Sequence, residues 1–283
     1  TDPKDVNTVI YQVSKTEEKV EFPRVGDDVA IITEVEQCKT ENYTYYPDNM
    51  LKTYSEYEGV EDEPSETASY RYDTMGRRAD KHVGNIYTEY IWSGDQIVGE
   101  VADGYLKYYY RGLGGEILSN RNGQTYAYDG HGDVVSLNEQ SGINLAFIDT
   151  YEYDAFGNET LENEKSEYNP FRYNGQYYDE ETGFIYLRNR YYDPSTGRFT
   201  SEDPVKDGFN WYVYCANNPI GYEDINGLEG RLLGTFDEQL EMLSYVQTLT
   251  DDTIWMDSDG RLVIVDRADD SNLRFPAGTQ LIR

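Results

Sequence analysis

The sequence predicts a mainly β protein, built from antiparallel hairpins, with a small α+β element at its C-terminal end. Three observations carry that prediction. A degenerate unit, Tyr-x-Tyr-(Asp)-x-x-Gly followed by a second short strand, recurs along the first half of the chain. The stretch Tyr168–Leu228 is dense with aromatic residues at strand spacing and punctuated by Asn-Gly, Thr-Gly, Asp-Pro and Asn-Pro, the pattern of short strands joined by tight turns. Finally, 29 Tyr stand against 9 Phe and 3 Trp, and tyrosine suits a pleated surface on which the ring packs and the hydroxyl stays hydrogen-bonded.

Taken in order, residues 1–42 contain two alternating stretches, Val9–Val13 and Val29–Val35, that suit strands. Clear copies of the repeat start at Tyr43, Tyr70, Tyr126 and Tyr151, and weaker ones at Tyr87 and Tyr108. Starts at 70, 87, 108, 126 and 151 are 17, 21, 18 and 25 residues apart. The chemistry is that of a hairpin: Tyr-x-Tyr sets two rings on one face, Asp caps the turn, and Gly takes the left-handed position. One hairpin cannot bury its own face, so successive copies stack into a continuous sheet. After Leu228 the grammar changes. Thr235 and Glu238 form a capping box ahead of Phe236, Leu240, Leu243 and Val246 at helical spacing. A hairpin follows, with Ile254–Met256 and Leu262–Val265 flanking an Asp-Gly turn.

Composition narrows the function. With 54 acidic against 24 basic residues, the formal charge is -30. Such a chain is a poor ligand for nucleic acid, whose phosphates need clustered Lys and Arg, or for anionic membrane surfaces. No apolar run reaches membrane-spanning length. The opening residues, TDPKDVNT, read as the interior of a longer exported protein. Cys38 and Cys215 are too few for a disulfide scaffold and match no metal-ligand spacing. His82 and His131, the only histidines, read as surface turn residues. No cofactor is expected.

The run YDEETGFIYLRNRYYDPSTGRFTSEDP, together with the tyrosine repeats, resembles the core-associated signature of Rhs (YD-repeat) proteins and the related Tc toxin C components. The resemblance covers the repeats from residue 43 and the segment that follows them. It implies that the hairpins form part of a β shell or spiral. The expected divisions are N-terminal strands over 1–42, the repeat sheet over 43–167, a core-associated segment over 168–228 and the start of a variable C-terminal toxin domain over 229–283. In the family, that core-associated segment is an aspartyl self-protease that cuts after a Leu and frees the toxin inside the shell. The family's Arg and two Asp fall here on Arg190, Asp203 and Asp224, and the cut between Leu228 and Glu229.

Elementary chemistry supports the assignment. Hydrolysis by two carboxyl groups needs one ionised, to deprotonate water, and one protonated, to polarise the carbonyl; two buried close together split their pKa values. Arg190 would hold one of them ionised or brace the geometry. A scissile bond four residues beyond Asp224 makes the reaction intramolecular. Ile225 stands where the family has Pro, and loses the backbone restraint that would aim the preceding aspartate. The resemblance further implies a secreted or cell-surface bacterial protein, with its own C-terminal toxin as cargo and an immunity protein as a further partner. Two other readings stand beside it. One is a non-catalytic module whose tyrosine stripes bind glycan or cell wall; the other is a shell fragment whose protease is inactive, Asp203 and Asp224 merely capping turns.

Overall fold

The computed structural model describes residues 7–13, 39–58, 63–141, 144–161, 168–206, 210–228, 231–232, 239, 253–256 and 262–265. These are nearly all strands and turns, as the tyrosine pattern predicts. The chain packs as two compact units, one of residues 1–90 with 101–105 and the other of residues 91–100 with 106–283.

In the first unit, strands β1 (Asn7–Val13), β2 (Lys39–Tyr45), β3 (Leu51–Glu58), β4 (Glu66–Tyr72), β5 (Arg78–Val83) and β6 (Ile86–Ser93), the last running just past its boundary, follow one another in sequence order. Each pairs antiparallel with the next. The register shifts between Arg71 and Tyr72, and the chain then turns through Asp73–Gly76. Asp73 Oδ1 accepts the N–H groups of Met75 (2.8 Å) and Arg77 (3.0 Å). Gly76 takes φ +77°, a left-handed conformation that a side chain would strain. The bulge and the aspartate-capped turn are thus one device, an extra residue that lets a short loop match the strand twist. It recurs at Asp129 and Asp154 in the second unit. Tyrosine fills the interior: Tyr43 and Tyr54 are buried cross-strand partners with ring centroids 5.3 Å apart. Their hydroxyls bond Glu41 and Glu56, which is how a tyrosine core keeps its polar ends satisfied.

In the second unit, β7 (Gln96–Ala102, its end lying in the first unit), β8 (Tyr105–Arg111), β9 (Ile117–Asn120), β10 (Thr125–Tyr128), β11 (Val134–Ser141) and β12 (Asn144–Thr150) come first. From β8 onward each is antiparallel to its successor. A four-stranded meander follows, made of β13 (Tyr177–Asp179), β14 (Phe184–Tyr186), β15 (Tyr191–Asp193) and β16 (Arg198–Phe199). Its core gathers Tyr173, Leu187, Tyr192, Phe199, Tyr214 and Cys215, with the Tyr192 and Tyr214 rings stacked at 3.9 Å. Strand β17 (Tyr222–Glu223) then pairs with β18 (Arg231–Leu232), and β19 (Thr253–Met256) with β20 (Leu262–Val265). The last pair is the hairpin expected after the change of grammar. The expected helix beginning near Thr235 and the strand Val29–Val35 lie outside the described residues.

Polar residues tie the repeats of the second unit to its meander. Glu100, 1% exposed, accepts the hydroxyls of Tyr109 (2.9 Å) and Tyr177 (2.7 Å), with Lys107 Nζ 3.7 Å away. His131 is not the surface residue its turn position suggests. Its ring contacts Asp133 Oδ1 at 3.0 Å and the Pro219 carbonyl at 2.7 Å. Burial alone would lower its pKa, but Asp133 and the Pro219 carbonyl outweigh that and raise it above the ordinary value. His82 lies in β5, not in a turn, and packs on Tyr87 with ring centroids 4.4 Å apart.

The His131 clasp predicts a pH signature. A raised folded pKa means the charged imidazole stabilises the fold below the unfolded value of about 6.5, and that this contribution is lost as pH rises through the folded value. His131→Gln is expected to lower stability by about 1–2 kcal/mol near pH 6 and by clearly less above pH 8. Urea denaturation of both proteins at the two pH values measures it; equal losses would remove the charged clasp.

Candidate functional site

The site grows from one tight turn. Between β14 and β15 the chain reverses at Leu187–Arg190, closed by Leu187 N–H donating to the Arg190 carbonyl (3.0 Å), with Arg188 left-handed at φ +66°. Arg190 comes out of this turn buried, its guanidinium 3.5 Å from the centre of the Phe199 ring. Nη1 donates to the Trp211 carbonyl at 3.0 Å and Nε to the Gly227 carbonyl. Burial lowers its pKa, against the opposing charges of Asp203 and Asp224.

Asp203 follows β16 and is also buried. Its backbone N–H donates to the same Trp211 carbonyl that holds Arg190 (3.0 Å), and its Oδ1 accepts the Val205 N–H (2.8 Å). Asp224 follows β17, with Oδ2 3.8 Å from Arg190 Nη2. Both aspartates thus lie by Arg190, Asp224 through its carboxyl and Asp203 through the shared Trp211 carbonyl and its charge. The two carboxyl groups make no hydrogen bond to one another, so they are not a pair sharing a proton in this state.

Asp224 Oδ1 accepts three backbone N–H groups, from Asn226 (3.3 Å), Gly227 (2.8 Å) and Leu228 (3.2 Å). This is the aspartate-capped turn of the repeats, used once more at the end of the core segment. The electrostatic outcome is opposite. For Asp73 and Asp154, in the corresponding repeat turns, burial pushes the carboxyl up, but the hydrogen bonds each accepts together outweigh it and hold it below the usual carboxylate range. Asp224 is pushed up to about 6, because burial outweighs Arg190 and the same kind of N–H bonds. Its carboxyl therefore exchanges a proton close to neutral pH. The cause is desolvation, not the repulsion from a second carboxylate that the sequence argument invokes.

The loop that carries Leu228 is held on both sides. Three successive carbonyls are gripped by three successive residues of the Leu187–Arg190 turn. Arg188 donates to Ile225, Asn189 to Asn226 (Nδ2 at 2.9 Å, backbone N at 3.3 Å), and Arg190 to Gly227. Gly227 has φ +74°, and a Cβ there would stand 2.9 Å from both Arg190 N and Leu187 O. Downstream, β18 pairs back onto β17 as Tyr222↔Leu232 and Glu223↔Arg231. The restraint that Ile225 gives up in place of Pro is supplied here by hydrogen bonds from another segment. Glu229 lies outside the described residues.

The family resemblance nominated Arg190, Asp203 and Asp224, and nothing in the sequence singled out Arg188, Asn189 and Trp211, which the structure places beside them. Their partners are main-chain carbonyls, and no side-chain pattern marks those. Cys215 has a free, buried thiol, raised by burial and next by the charge of Asp224. Among the described residues no group of three or more His, Cys, Asp and Glu is placed to hold a metal, and no helix is long and apolar enough to cross a membrane.

No family model matches the chain. Over 182 residues it is 40% identical to the tRNA3(Ser)-specific nuclease WapA of Bacillus spizizenii, covering 59% of this chain and 8% of that protein. Over 61 residues it is 48% identical to toxin protein Tse5 of Pseudomonas aeruginosa, covering 21% of this chain and 5% of the relative. The crystal structure of TcdB2-TccC3-TEV superposes with a TM-score of 0.52 at 21% identity, over 66% of this chain and 10% of that one. The chain spans less than a tenth of the WapA relative's length. With tyrosine-aspartate hairpins and an antiparallel β fold, the chain is similar in sequence to WapA and Tse5 and shares its fold with the TcdB2-TccC3 structure.

Proposed function

We propose that this chain is part of a YD-repeat toxin that encloses its variable C-terminal toxin domain and cuts itself once, between Leu228 and Glu229. The observation that carries the reading is the burial of Asp224 on the turn ending at Leu228, with a pKa of about 6 and Arg190 beside it. A carboxyl group so poised can be protonated and polarise the scissile carbonyl. Asp203 takes a proton from the attacking water. Water adds across the peptide bond, leaving a carboxyl on Leu228 and an amine on Glu229. Arg190 is the brace, holding the Gly227 carbonyl while facing both acids. After the cut, residues 224–228 stay gripped by Arg188, Asn189 and Arg190, and β18 is held to β17 by a two-residue pairing, too short to be stable alone. The toxin relatives support a fused toxin as cargo and a secreted or delivered protein.

Intact-mass measurement of the purified chain between pH 5 and pH 7 tests the reading. The expected result is a break between Leu228 and Glu229 in the wild type and none in Asp224→Asn. A folded wild type that stays whole throughout would leave a structural plug with a turn-capping aspartate. Against the glycan-binding alternative, many of the described tyrosines are inside: Tyr43, Tyr54, Tyr70, Tyr151, Tyr173 and Tyr192 are each at most 2% exposed.

A further inference from the structure

Away from the acids, the second unit contains a small, partly open cleft. Trp92, Phe171, Tyr177 and Tyr186 wall it, and Arg111 and Arg188 supply its charge, with Asp95 exposed at its edge. Arg111 closes β8 and donates Nε to the Ile97 carbonyl (2.8 Å) and Nη1 to the Gly115 carbonyl, its guanidinium 5.2 Å from the centre of the Phe171 ring. Arg188, from the turn before β15, donates Nη1 to the Asp95 carbonyl (3.0 Å) and Nη2 to the Ile225 carbonyl.

Every one of these acceptors is a neutral main-chain oxygen. Among the described residues neither guanidinium makes an ion pair with a carboxylate, and Arg111 Nη2 and Arg188 Nε donate to no described group. Removing a cation from water costs several kcal/mol unless a counter-charge returns it, and here two cations share one cleft. The pKa of Arg111 falls to about 10, chiefly through burial and then, against the favourable Tyr128, through the charge of Arg188. Arg188 is lowered by burial as well, although Tyr186, Asp95 and Asp224 oppose that. Planar guanidinium donors match a carboxylate in two-point contact, and the surrounding rings suit an apolar body of a few carbons.

We propose that this cleft is a binding site for a small carboxylate with an apolar body, held between Arg111 and Arg188 against the Trp92 and Tyr186 rings. The site does not depend on cleavage at Leu228. Binding is tested on the full chain by thermal melting and by the Trp92 indole N–H resonance, with sodium benzoate, acetate and phosphate titrated at constant ionic strength against chloride. Benzoate is expected to bind saturably, more tightly than acetate, and to shift the Trp92 resonance. Arg111→Gln should weaken benzoate at least tenfold, and Arg111→Lys, which keeps the charge but loses the planar fork, should weaken it several-fold and serves if the Gln variant does not fold. Phosphate binding in place of benzoate would overturn the carboxylate class. No saturable response to any probe, or equal binding by the folded variants, would overturn the site.

Discussion

Gly227→Ala is expected to dislodge the loop that ends at Leu228 and to cost the protein on the order of 2–4 kcal/mol, the sum of a left-handed backbone penalty and an overpacked contact. Two causes act at the same atom. At φ +74° any L side chain is strained, and the added Cβ would meet Arg190 N and Leu187 O at 2.9 Å and Arg190 Cβ at 3.3 Å. Two of these three are backbone atoms of a hydrogen-bonded turn, which cannot rotate away as the end of a side chain could. Relief therefore requires the loop to lift, which breaks the Asn189–Asn226 and Arg190–Gly227 contacts and moves Asp224 from Arg190. Urea denaturation and amide exchange over residues 186–190 and 224–228 measure the effect. A loss below about 0.5 kcal/mol, the range of ordinary surface substitutions, with unchanged exchange would show that the close approach does not hold in solution. The substitution keeps all three side chains Asp203, Asp224 and Arg190 but displaces Asp224 from Arg190, so the proposed cleavage should fall sharply with both acids still present.

Asp224→Asn is expected to abolish self-cleavage and to change the pH dependence of stability in a defined direction. The folded pKa of about 6 lies above the ordinary aspartate value of 3.8. Between these values the folded state binds more protons than the unfolded state, so stability falls as pH rises through the window. A shift of about two units corresponds to roughly 3 kcal/mol, fully present as a destabilisation above pH 6 and absent below pH 4. Asparagine keeps an acceptor for the Asn226, Gly227 and Leu228 N–H groups but cannot ionise. Many other carboxylates titrate in the same range, so the difference between the two proteins is the informative quantity. Variant minus wild type should rise by roughly 3 kcal/mol from pH 4 to pH 7. A flat difference would mean that Asp224 is solvated like an ordinary turn aspartate, and would remove the physical basis for its acid role.

Much of the fold was legible because its signals are local. Tyr70-Arg71-Tyr72-Asp73 followed by Gly76 states a strand, a cap and a left-handed residue within seven positions, and the structure has each of them. The hairpin at Thr253–Val265 was legible for the same reason. Each histidine was half legible, because local pattern does not reveal what packs against a residue: His82 is on the surface as expected but lies in a strand. His131 sits in a turn as expected, yet its second nitrogen meets Pro219, 88 residues away.

Within the proposed site, the sequence, through its family resemblance, nominated Arg190, Asp203 and Asp224, and it predicted the turn chemistry around them. Only the tertiary structure decided that Asp224, unlike Asp73 in the same type of turn, loses its water and moves its proton exchange towards neutrality. It likewise decided that Arg188 and Asn189, rather than a proline, hold the backbone before Leu228. The physical reason is common to both. Hydrogen-bonding capacity is written in the residue, whereas dielectric surroundings and the nearness of another segment's carbonyls exist only once distant stretches of chain have packed together.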